Sequence, residues 1–223
     1  MLRRHSLLEK HTSVLVGISG GIDSLVLLFL LHKYKDTYQQ LWEIKACHIN
    51  TGFPGWNPAG LQKFLRAHEI ESIVVSTKIY KRIQRVDDKC FFCSRARRKQ
   101  LMEIAEESNI TNIALAHHQE DVAETLLLNM LYAGRMSTLL PRQPIVHGRL
   151  VLIRPLYYMN KETILEIARA FHLKSHGDFC PYYKDSRREM IREKLNVIKK
   201  KNPDIYTNIF RSIFNVKQSY MPS

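Results

Sequence analysis

The segment Val14-Leu15-Val16-Gly17-Ile18-Ser19-Gly20-Gly21-Ile22-Asp23-Ser24 runs from an apolar stretch through two adjacent glycines towards a helix. Its first residues are apolar without alternation, which predicts a strand over 13–18 that is buried on both faces. The seven apolar residues from Leu25 to Leu31 predict that a helix over about 24–34 follows. A buried strand, a tight turn and a helix in this order are typical of α/β proteins.

Strand and helix patterns continue to alternate through the first two thirds of the chain. Further strands are predicted at 43–49, 72–77, 112–116 and 150–156, and further helices at about 59–68, 94–108 and 120–132. This alternation predicts a doubly wound α/β fold with a mostly parallel, five-stranded sheet. From Lys161 the pattern becomes helical and increasingly basic. We therefore predict an α/β domain over residues 1–157 and a basic helical extension over residues 158–223.

The composition bounds the class of protein. The 223 residues carry a formal net charge of +13, which favours a polyanionic partner, with nucleic acid first. The longest apolar run has seven residues, far fewer than the ~20 that cross a bilayer, so we expect no membrane span. No apolar segment follows the basic first residues, and we expect no secretory signal. Four cysteines are too few for a disulfide framework, which favours a reducing, cytoplasmic location.

The glycine pair has the chemistry of a phosphate cradle. Gly20 and Gly21 allow a sharp bend that turns successive N–H groups towards one point, and the following helix adds its positive end. The hydroxyls of Ser19 and Ser24 add donors. The lysine of a Walker A loop is missing, so the turn is not a P-loop of that kind. A plain strand-to-helix connection, in which an Asp or Ser such as Asp23 or Ser24 caps the helix, is the alternative.

Three of the cysteines are candidate metal ligands. Cys90-Phe91-Phe92-Cys93 precedes a helix, so that two sulfurs can reach one metal centre, and the helix N-terminus and nearby arginines favour thiolates. Cys180 is a third ligand candidate, and three thiolates would leave one iron of a [4Fe–4S] cluster open. The spacing alone equally fits a redox dithiol or half of a zinc site. Cys47, within a predicted strand, is expected in the core.

Several motifs together resemble one family. Ser19-Gly20-Gly21-Ile22-Asp23-Ser24 resembles the Ser-Gly-Gly-x-Asp-Ser signature of the PP-loop ATP pyrophosphatases. His117-His118-Gln119-Glu120-Asp121-Val122-Ala123-Glu124-Thr125 is similar to a stretch of their tRNA-modifying branch, as is Arg154-Pro155-Leu156. The resemblance covers about residues 12–195. It implies an enzyme that splits ATP between the α and β phosphates and adenylates a carbonyl oxygen.

The cysteines point to one part of that branch. The run from Cys90 to Arg98 and the later Asp178-Phe179-Cys180 resemble the tRNA 2-thiocytidine synthetases. That resemblance implies a [4Fe–4S] cluster on Cys90, Cys93 and Cys180 with sulfide on the open iron, zinc being the lesser alternative. The family often has a second CxxC at the downstream position, whereas here Cys180-Pro181-Tyr182-Tyr183 ends in tyrosine.

The same resemblance implies a reaction and a set of site residues. A pyrimidine carbonyl oxygen attacks the α-phosphorus of ATP, pyrophosphate leaves, and a sulfur nucleophile displaces AMP. Asp23 and Asp121 are expected to hold Mg²⁺, with Glu120 as a third carboxylate, and they form with Cys180 the predicted catalytic set. ATP would be held by Ser19, Gly20, Gly21, Asp23, Ser24, His48, His117, His118, Arg188 and Arg192.

The basic residues are concentrated near the proposed chemistry. Residues 81–99 contain eight Lys or Arg against two Asp, and residues 184–201 contain eight against three acids. Such surfaces fit the phosphate backbone of a tRNA. Aromatic residues beside the cysteines are candidates for stacking on bases, or for the core. These are Phe91, Phe92, Tyr182 and Tyr183. The resemblance further implies a sulfur donor, either a cysteine desulfurase or free sulfide, and a homodimer.

Three other functions stay open from the sequence. A lysidine synthetase-like ligase would use a lysine amine and no metal, although such enzymes normally lack this CxxC and carry further C-terminal domains. An RNA-binding module with a structural zinc at Cys90 and Cys93 would consume no ATP. Removal of sulfur from a thiolated base would use three cysteines around a cluster but no ATP.

Overall fold

Six strands pair into one sheet in the computed structural model, which describes residue 2 and residues 7–177 and 180–220. The strands are β1 (His11–Gly17), β2 (Leu41–Asn50), β3 (Ser72–Ser76), β4 (Asn112–Ala114), β5 (Arg142–Ile145) and β6 (Leu150–Ile153). Their order across the sheet is β3-β2-β1-β4-β6-β5, and every neighbouring pair is parallel except β5 with β6. The doubly wound, mostly parallel fold expected from the sequence is confirmed.

The predicted number of strands is wrong by one. The additional strand is β5, which pairs antiparallel with β6 at the edge of the sheet, with Pro144 opposite Val151. Pro141 and Pro144 favour a turn in the sequence because proline lacks the N–H that a central strand needs. An edge strand tolerates proline because one of its sides pairs with no other strand.

Helices cover both faces of the sheet. They are α1 (Ile22–Thr37), α2 (Ala59–Ala67), α3 (Ile79–Ile83), α4 (Lys89–Glu107), α5 (Gln119–Ala133), α6 (Lys161–Ala170), α7 (Arg187–Lys199) and α8 (Ile205–Ser212). In β1, Val14 and Val16 pack in the core beneath α1, α2 and α6, whereas Leu15 packs in the core beneath α3 and α4. The apolar run of β1 is therefore buried on both faces.

The C-terminal helices pack onto the α/β unit. Ile164 and Ala168 of α6 belong to the same core as α1, and Ile191 and Leu195 of α7 pack with Ala123 of α5. The predicted boundary at residue 157 stays a prediction. Of the helices within the described ranges, none has the length and apolar character needed to span a membrane.

Replacing Ile113 in β4 tests the packing of the central sheet. Its side chain is 0% exposed, and Ile113→Ala is expected to lower the free energy of unfolding by about 2–5 kcal/mol because a cavity remains. The control is Val197→Ala on α7, where the side chain is 64% exposed and the change is expected to stay within about 0.5 kcal/mol. Urea unfolding followed by circular dichroism measures both. Equal midpoints for the two variants would contradict the buried position of β4.

Candidate active site

The glycine turn joins β1 to α1 and is held by its own serines. Ser19 Oγ accepts a hydrogen bond from the N–H of Gly21 at 3.1 Å, and Ser24 Oγ donates to the Gly21 carbonyl at 2.8 Å. Gly20 has a φ of +90°, which strains any residue with a side chain. Gly21 is the N-cap of α1, and no side-chain hydrogen bond caps this helix among the residues described. The free backbone N–H groups at the start of α1 therefore suit an anion.

Asp23 does not cap the helix, which settles one alternative left open by the sequence. It lies in the first turn of α1, and one carboxylate oxygen forms an ion pair with the ammonium of Lys161. The other oxygen is 3.8 Å from Nε2 of His118. The aspartate of the glycine turn therefore faces residues from α6 and from the start of α5.

A cluster of acids surrounds His118 at the N-terminus of α5. Its Nδ1 is 2.9 Å from a Glu120 oxygen, and its Nε2 is 3.4 Å from Oδ2 of Asp121. Burial alone would lower the pKa of His118, but the hydrogen bond to Glu120 and the charges of Asp121 and Asp23 raise it. Burial works against ionisation of Glu120 and Asp121, yet His118 helps to lower the pKa of both. The cluster thus favours ionised acids around a protonated imidazole.

Arg188 and Arg192 of α7 pair with the acids of α5. Arg192 donates to both oxygens of Glu124, at 2.8 Å and 3.0 Å, and Arg188 lies 3.4 Å from Asp121 and donates to Thr125 Oγ1 at 3.1 Å. Glu124 is buried, and burial raises its pKa although Arg192 acts in the opposite direction. Both predicted ATP ligands therefore already have acidic partners.

His117 and His118 have different neighbours: His118 lies among the acids, whereas His117 lies against Arg154. Nδ1 of His117 accepts a hydrogen bond from Nε of Arg154 at 3.3 Å, and burial lowers the pKa of His117. Arg154 is itself buried and also donates to the carbonyl oxygen of Leu140 and to Gln143. The Arg-Pro-Leu motif thus supplies the arginine that orients His117.

His48 lies near the same edge of the sheet, in the last part of β2. One of its ring nitrogens has no hydrogen-bond partner among the described residues. Its Nδ1 lies 2.8 Å from the carbonyl oxygen of Ile18, and its ring stacks on Trp56 with centroids 4.5 Å apart. Burial lowers the pKa of His48, so the neutral ring donates from Nδ1. Nε2 is then an acceptor, and it is buried without a partner among the described residues.

A short segment before Cys180 crosses the glycine turn. The backbone N–H of His176 donates to the carbonyl oxygen of Gly20 at 2.8 Å. A Cβ on Gly177 would lie 2.7 Å from the carbonyl oxygen of Ser19, so only glycine fits this approach. Three further residues lead to Cys180, a span of at most about 11 Å. The predicted motif residues Asp178 and Phe179 lie outside the described residues.

The three predicted cysteine ligands converge. Cys90 Sγ donates to the carbonyl oxygen of Tyr182 at 3.5 Å, and Cys180 is close enough to Cys90 and Cys93 to influence both. Burial raises the pKa of Cys90 and of Cys93, and Cys180 raises each further; Arg97 offsets part of the rise at Cys93. For Cys90 and Cys93 without a bound metal, burial thus acts against the expected thiolates.

The remaining cysteine is a core residue, as expected. Cys47 is 1% exposed, and burial raises the pKa of its thiol to about 12. Within residue 2 and residues 7–177 and 180–220, no three His, Cys, Asp or Glu side chains are close enough together to hold a single metal ion. A cluster of four irons is larger than one ion, and each thiolate binds a different iron. The cluster site on Cys90, Cys93 and Cys180 therefore stays a prediction.

One cavity of about 1090 Å³ connects the two halves of the site. It is lined by eight of the predicted site residues, namely Ser19, Asp23, His48, His118, Asp121, Arg192, Cys93 and Cys180. Gly20, Gly21 and Ser24 shape the turn behind Ser19. In the described part of the chain, the other predicted residues stand behind the lining: His117 against Arg154, Arg188 against Asp121, and Cys90 against Tyr182.

The cavity also contains residues that the sequence did not single out. Lys161, Trp56 and Arg97 all line it. Arg97 is in the basic run after Cys93, four residues on and thus on the same face of α4, which was a usable signal. Neither Lys161 nor Trp56 lies in a motif, and only the folded chain brings them to the glycine turn.

Comparison with known proteins agrees with this geometry. Residues 2–199 match the PP-loop domain family. The tRNA-cytidine(32) 2-sulfurtransferase of Geotalea uraniireducens (strain Rf4) is 30% identical over 223 residues, 97% of this chain and 88% of that protein. The protein of the same name from Polynucleobacter necessarius subsp. necessarius (strain STIR1) is 31% identical over 220 residues, 96% of this chain and 73% of its own length.

A solved structure is similar over nearly the whole chain. It is the U34-tRNA thiolase NcsA from Methanococcus maripaludis with its [4Fe-4S] cluster, at a TM-score of 0.78 and 26% identity. The match covers 97% of this chain and 76% of that chain. On these matches and on its glycine turn, the chain belongs to the PP-loop domain family and, within it, to the tRNA-cytidine(32) 2-sulfurtransferase relatives.

Proposed function

We propose that this protein is an ATP-dependent tRNA sulfurtransferase that replaces the carbonyl oxygen of a pyrimidine by sulfur. The observation that carries the proposal is the shared cavity, in which the glycine turn and two of the three convergent cysteines face each other. Activation of an oxygen and its replacement by sulfur need both chemistries at one base. The sulfurtransferase relatives support the same reaction class.

The residues on the β1 side fit an adenine nucleotide. The uncapped N-terminus of α1 and the turn of Ser19, Gly20, Gly21 and Ser24 suit phosphate oxygens. His48 Nε2 is a buried acceptor without a protein partner, and it suits a donor such as the amino group of adenine. We assign the pyrophosphate to the turn and the base to the His48 side of the cavity.

The first half-reaction forms one P–O bond and breaks another. The pyrimidine carbonyl oxygen attacks the α-phosphorus, and the bond from that phosphorus to the bridging oxygen of pyrophosphate breaks. The helix N-terminus stabilises the charge that develops on the leaving pyrophosphate. Asp23 and Asp121 are the carboxylates that would hold Mg²⁺, with Glu120 as a third candidate; one or two carboxylates suffice because Mg²⁺ keeps several waters and binds phosphate oxygens, whose charge it would neutralise. Arg188 would position Asp121 through their ion pair, and His117 is held behind the site by Arg154.

The second half-reaction exchanges oxygen for sulfur at the same carbon. A [4Fe–4S] cluster held by Cys90, Cys93 and Cys180 would supply the sulfur nucleophile. The C–S bond forms as the C–O bond to AMP breaks, so that AMP leaves with the original oxygen. Arg192 beside Tyr183 and Lys184 at the cavity wall provide positive charge around the departing AMP.

Exposed aromatic and basic side chains support a tRNA docking surface beside the cysteines. Phe91 is 53% exposed and Phe92 is 44% exposed, on the first turn of α4 between Cys90 and Cys93. Arg82 and Arg85 of the same basic stretch are also exposed. Tyr182, by contrast, is partly buried against Phe53 and is bonded to Gln84, which favours a packing role. Base stacking on Phe91 and Phe92 would present a single-stranded loop to the cavity.

Further parts of the proposal rest on the family. We propose that sulfur arrives from a cysteine desulfurase or as free sulfide, that the protein forms a homodimer, and that it works in the cytoplasm. The helices over residues 158–223 would act as the domain that carries Cys180 and faces the tRNA.

Separate measurement of the two half-reactions tests the function. We expect tRNA-stimulated pyrophosphate release and a thio-nucleoside, detected by mass analysis, from anaerobically prepared protein. Cys180→Ala is expected to keep pyrophosphate release but to lose the thio-nucleoside and most of the iron, because it removes one of three ligands. Cys47→Ala is the matched control, since this cysteine lies in the core and should leave the iron content unchanged.

Other outcomes would each favour one of the three alternative functions. Full activity of a preparation free of iron and acid-labile sulfide would contradict sulfur transfer through a cluster and favour the ligase. Absence of tRNA-stimulated pyrophosphate release would favour a binding module. Sulfur loss from a thiolated tRNA without ATP would favour desulfuration.

Variants of the aromatic side chains and of the basic side chains on this surface are expected to differ in how their tRNA affinity depends on salt. The double variant Phe91→Ala/Phe92→Ala is expected to weaken tRNA binding at least fivefold, because each stacked base contributes about 1–3 kcal/mol. Its affinity should fall with salt as steeply as that of the wild type. Arg82→Ala/Arg85→Ala should instead lower the slope of log affinity against log salt by about 1–2, since phosphate contacts are lost.

Fluorescence titration of labelled tRNA at several salt concentrations measures both effects. Tyr220→Ala, which removes another exposed aromatic side chain near the C-terminus, is the control and should bind tRNA like the wild type. Unchanged binding by the double phenylalanine variant would show that tRNA docks elsewhere.

A further inference from the structure

The glycine turn lacks the lysine of a Walker A loop, but the fold brings a lysine to it from another element. Lys161 is 138 residues away from Asp23 in the sequence, and its ammonium contacts Oδ1 of that aspartate. Both side chains line the cavity that also contains Ser19. A cation therefore stands at the edge of the turn that is proposed to hold the phosphates.

Packing fixes the backbone of Lys161. It is the first residue of α6, and the side chain of Asn160 caps this helix by accepting from the N–H of Thr163 at 2.9 Å. The N–H of Lys161 donates to Oε1 of Glu120 at 2.8 Å. Ile164, one turn later, is 0% exposed and packs in the core with α1. The ammonium can therefore move while its attachment point stays fixed.

The ion pair of Lys161 with Asp23 is more exposed to water than that of Arg192 with Glu124. Arg192 binds both oxygens of the buried Glu124, which holds its guanidinium firmly. Lys161 has a side chain that is 40% exposed and Asp23 one that is 32% exposed, and water screens such a pair. A phosphate group is therefore able to displace Asp23 from Lys161.

We propose that Lys161 is a phosphate-binding residue of the ATP site. Its Nζ exchanges the carboxylate of Asp23 for oxygens of the triphosphate, and it stays with pyrophosphate as that group leaves. The exchange also frees the Asp23 carboxylate. An ammonium is a compact donor that suits phosphate oxygens. This inference rests on the proposed use of ATP.

Equilibrium binding of ATP in the absence of tRNA tests this role without depending on turnover. Lys161→Met is expected to weaken ATP binding about ten- to a hundredfold, because a charged hydrogen bond to phosphate is lost. Lys161→Arg should recover part of the affinity, since it keeps the charge. Lys45→Met is the matched control, because Lys45 of β2 forms an ion pair with Glu71 and does not line the cavity. It should bind ATP like the wild type.

The variant Asp23→Asn distinguishes a direct contact of Lys161 with phosphate from an effect of Lys161 that acts through Asp23. In Asp23→Asn protein, Lys161→Met should still weaken ATP binding if the ammonium touches phosphate. No further loss in that background would mean that Lys161 acts only through Asp23, and would overturn the inference. Wild-type affinity in the single variant Lys161→Met would overturn it as well, while leaving the proposed function intact. Wild-type protein that binds no ATP would instead overturn the proposed function and this inference together.

Discussion

A hydrogen bond from the backbone N–H of His176 to the carbonyl oxygen of Gly20 joins the segment before Cys180 to the glycine turn. Gly177 lies so close to the carbonyl oxygen of Ser19 that a side chain would not fit. Backbone contacts of this kind are independent of side-chain rotamers, and they set how far Cys180 can lie from the phosphate cradle. The same short segment thus packs on the glycine turn and leads to Cys180. Its attachment to the turn limits the distance between the phosphate cradle and the third sulfur.

Charge pairing adds to the apolar packing that holds the C-terminal helices to the α/β unit. Asp23 of α1 pairs with Lys161 of α6. Asp121 and Glu124 of α5 pair with Arg188 and Arg192 of α7. Like charges close to one another repel unless cations come between them. The helices that supply those cations are therefore part of the site itself.

Local features of this protein are predictable from its sequence, and features that depend on distant packing are not. The buried strand β1 and the turn after it follow from adjacent residues, so the fold class and the phosphate cradle could be predicted. Strand β5 was missed because Pro144 favours a turn until a neighbouring edge strand is known. The contact of Lys161 with Asp23 spans 138 residues and leaves no local pattern. The burial that acts against a thiolate at Cys93 could not be predicted for the same reason, since it depends on tertiary packing.

The burial of Cys47 has a consequence for the handling of this protein in air. Its thiol is enclosed by the core and stays protonated, so it is a poor nucleophile towards disulfides or oxidants. Cys90, Cys93 and Cys180 are less enclosed and lie near one another. Disulfide formation in air is therefore expected at these three sulfurs rather than at Cys47, and a thiol reductant would reverse it without unfolding the chain.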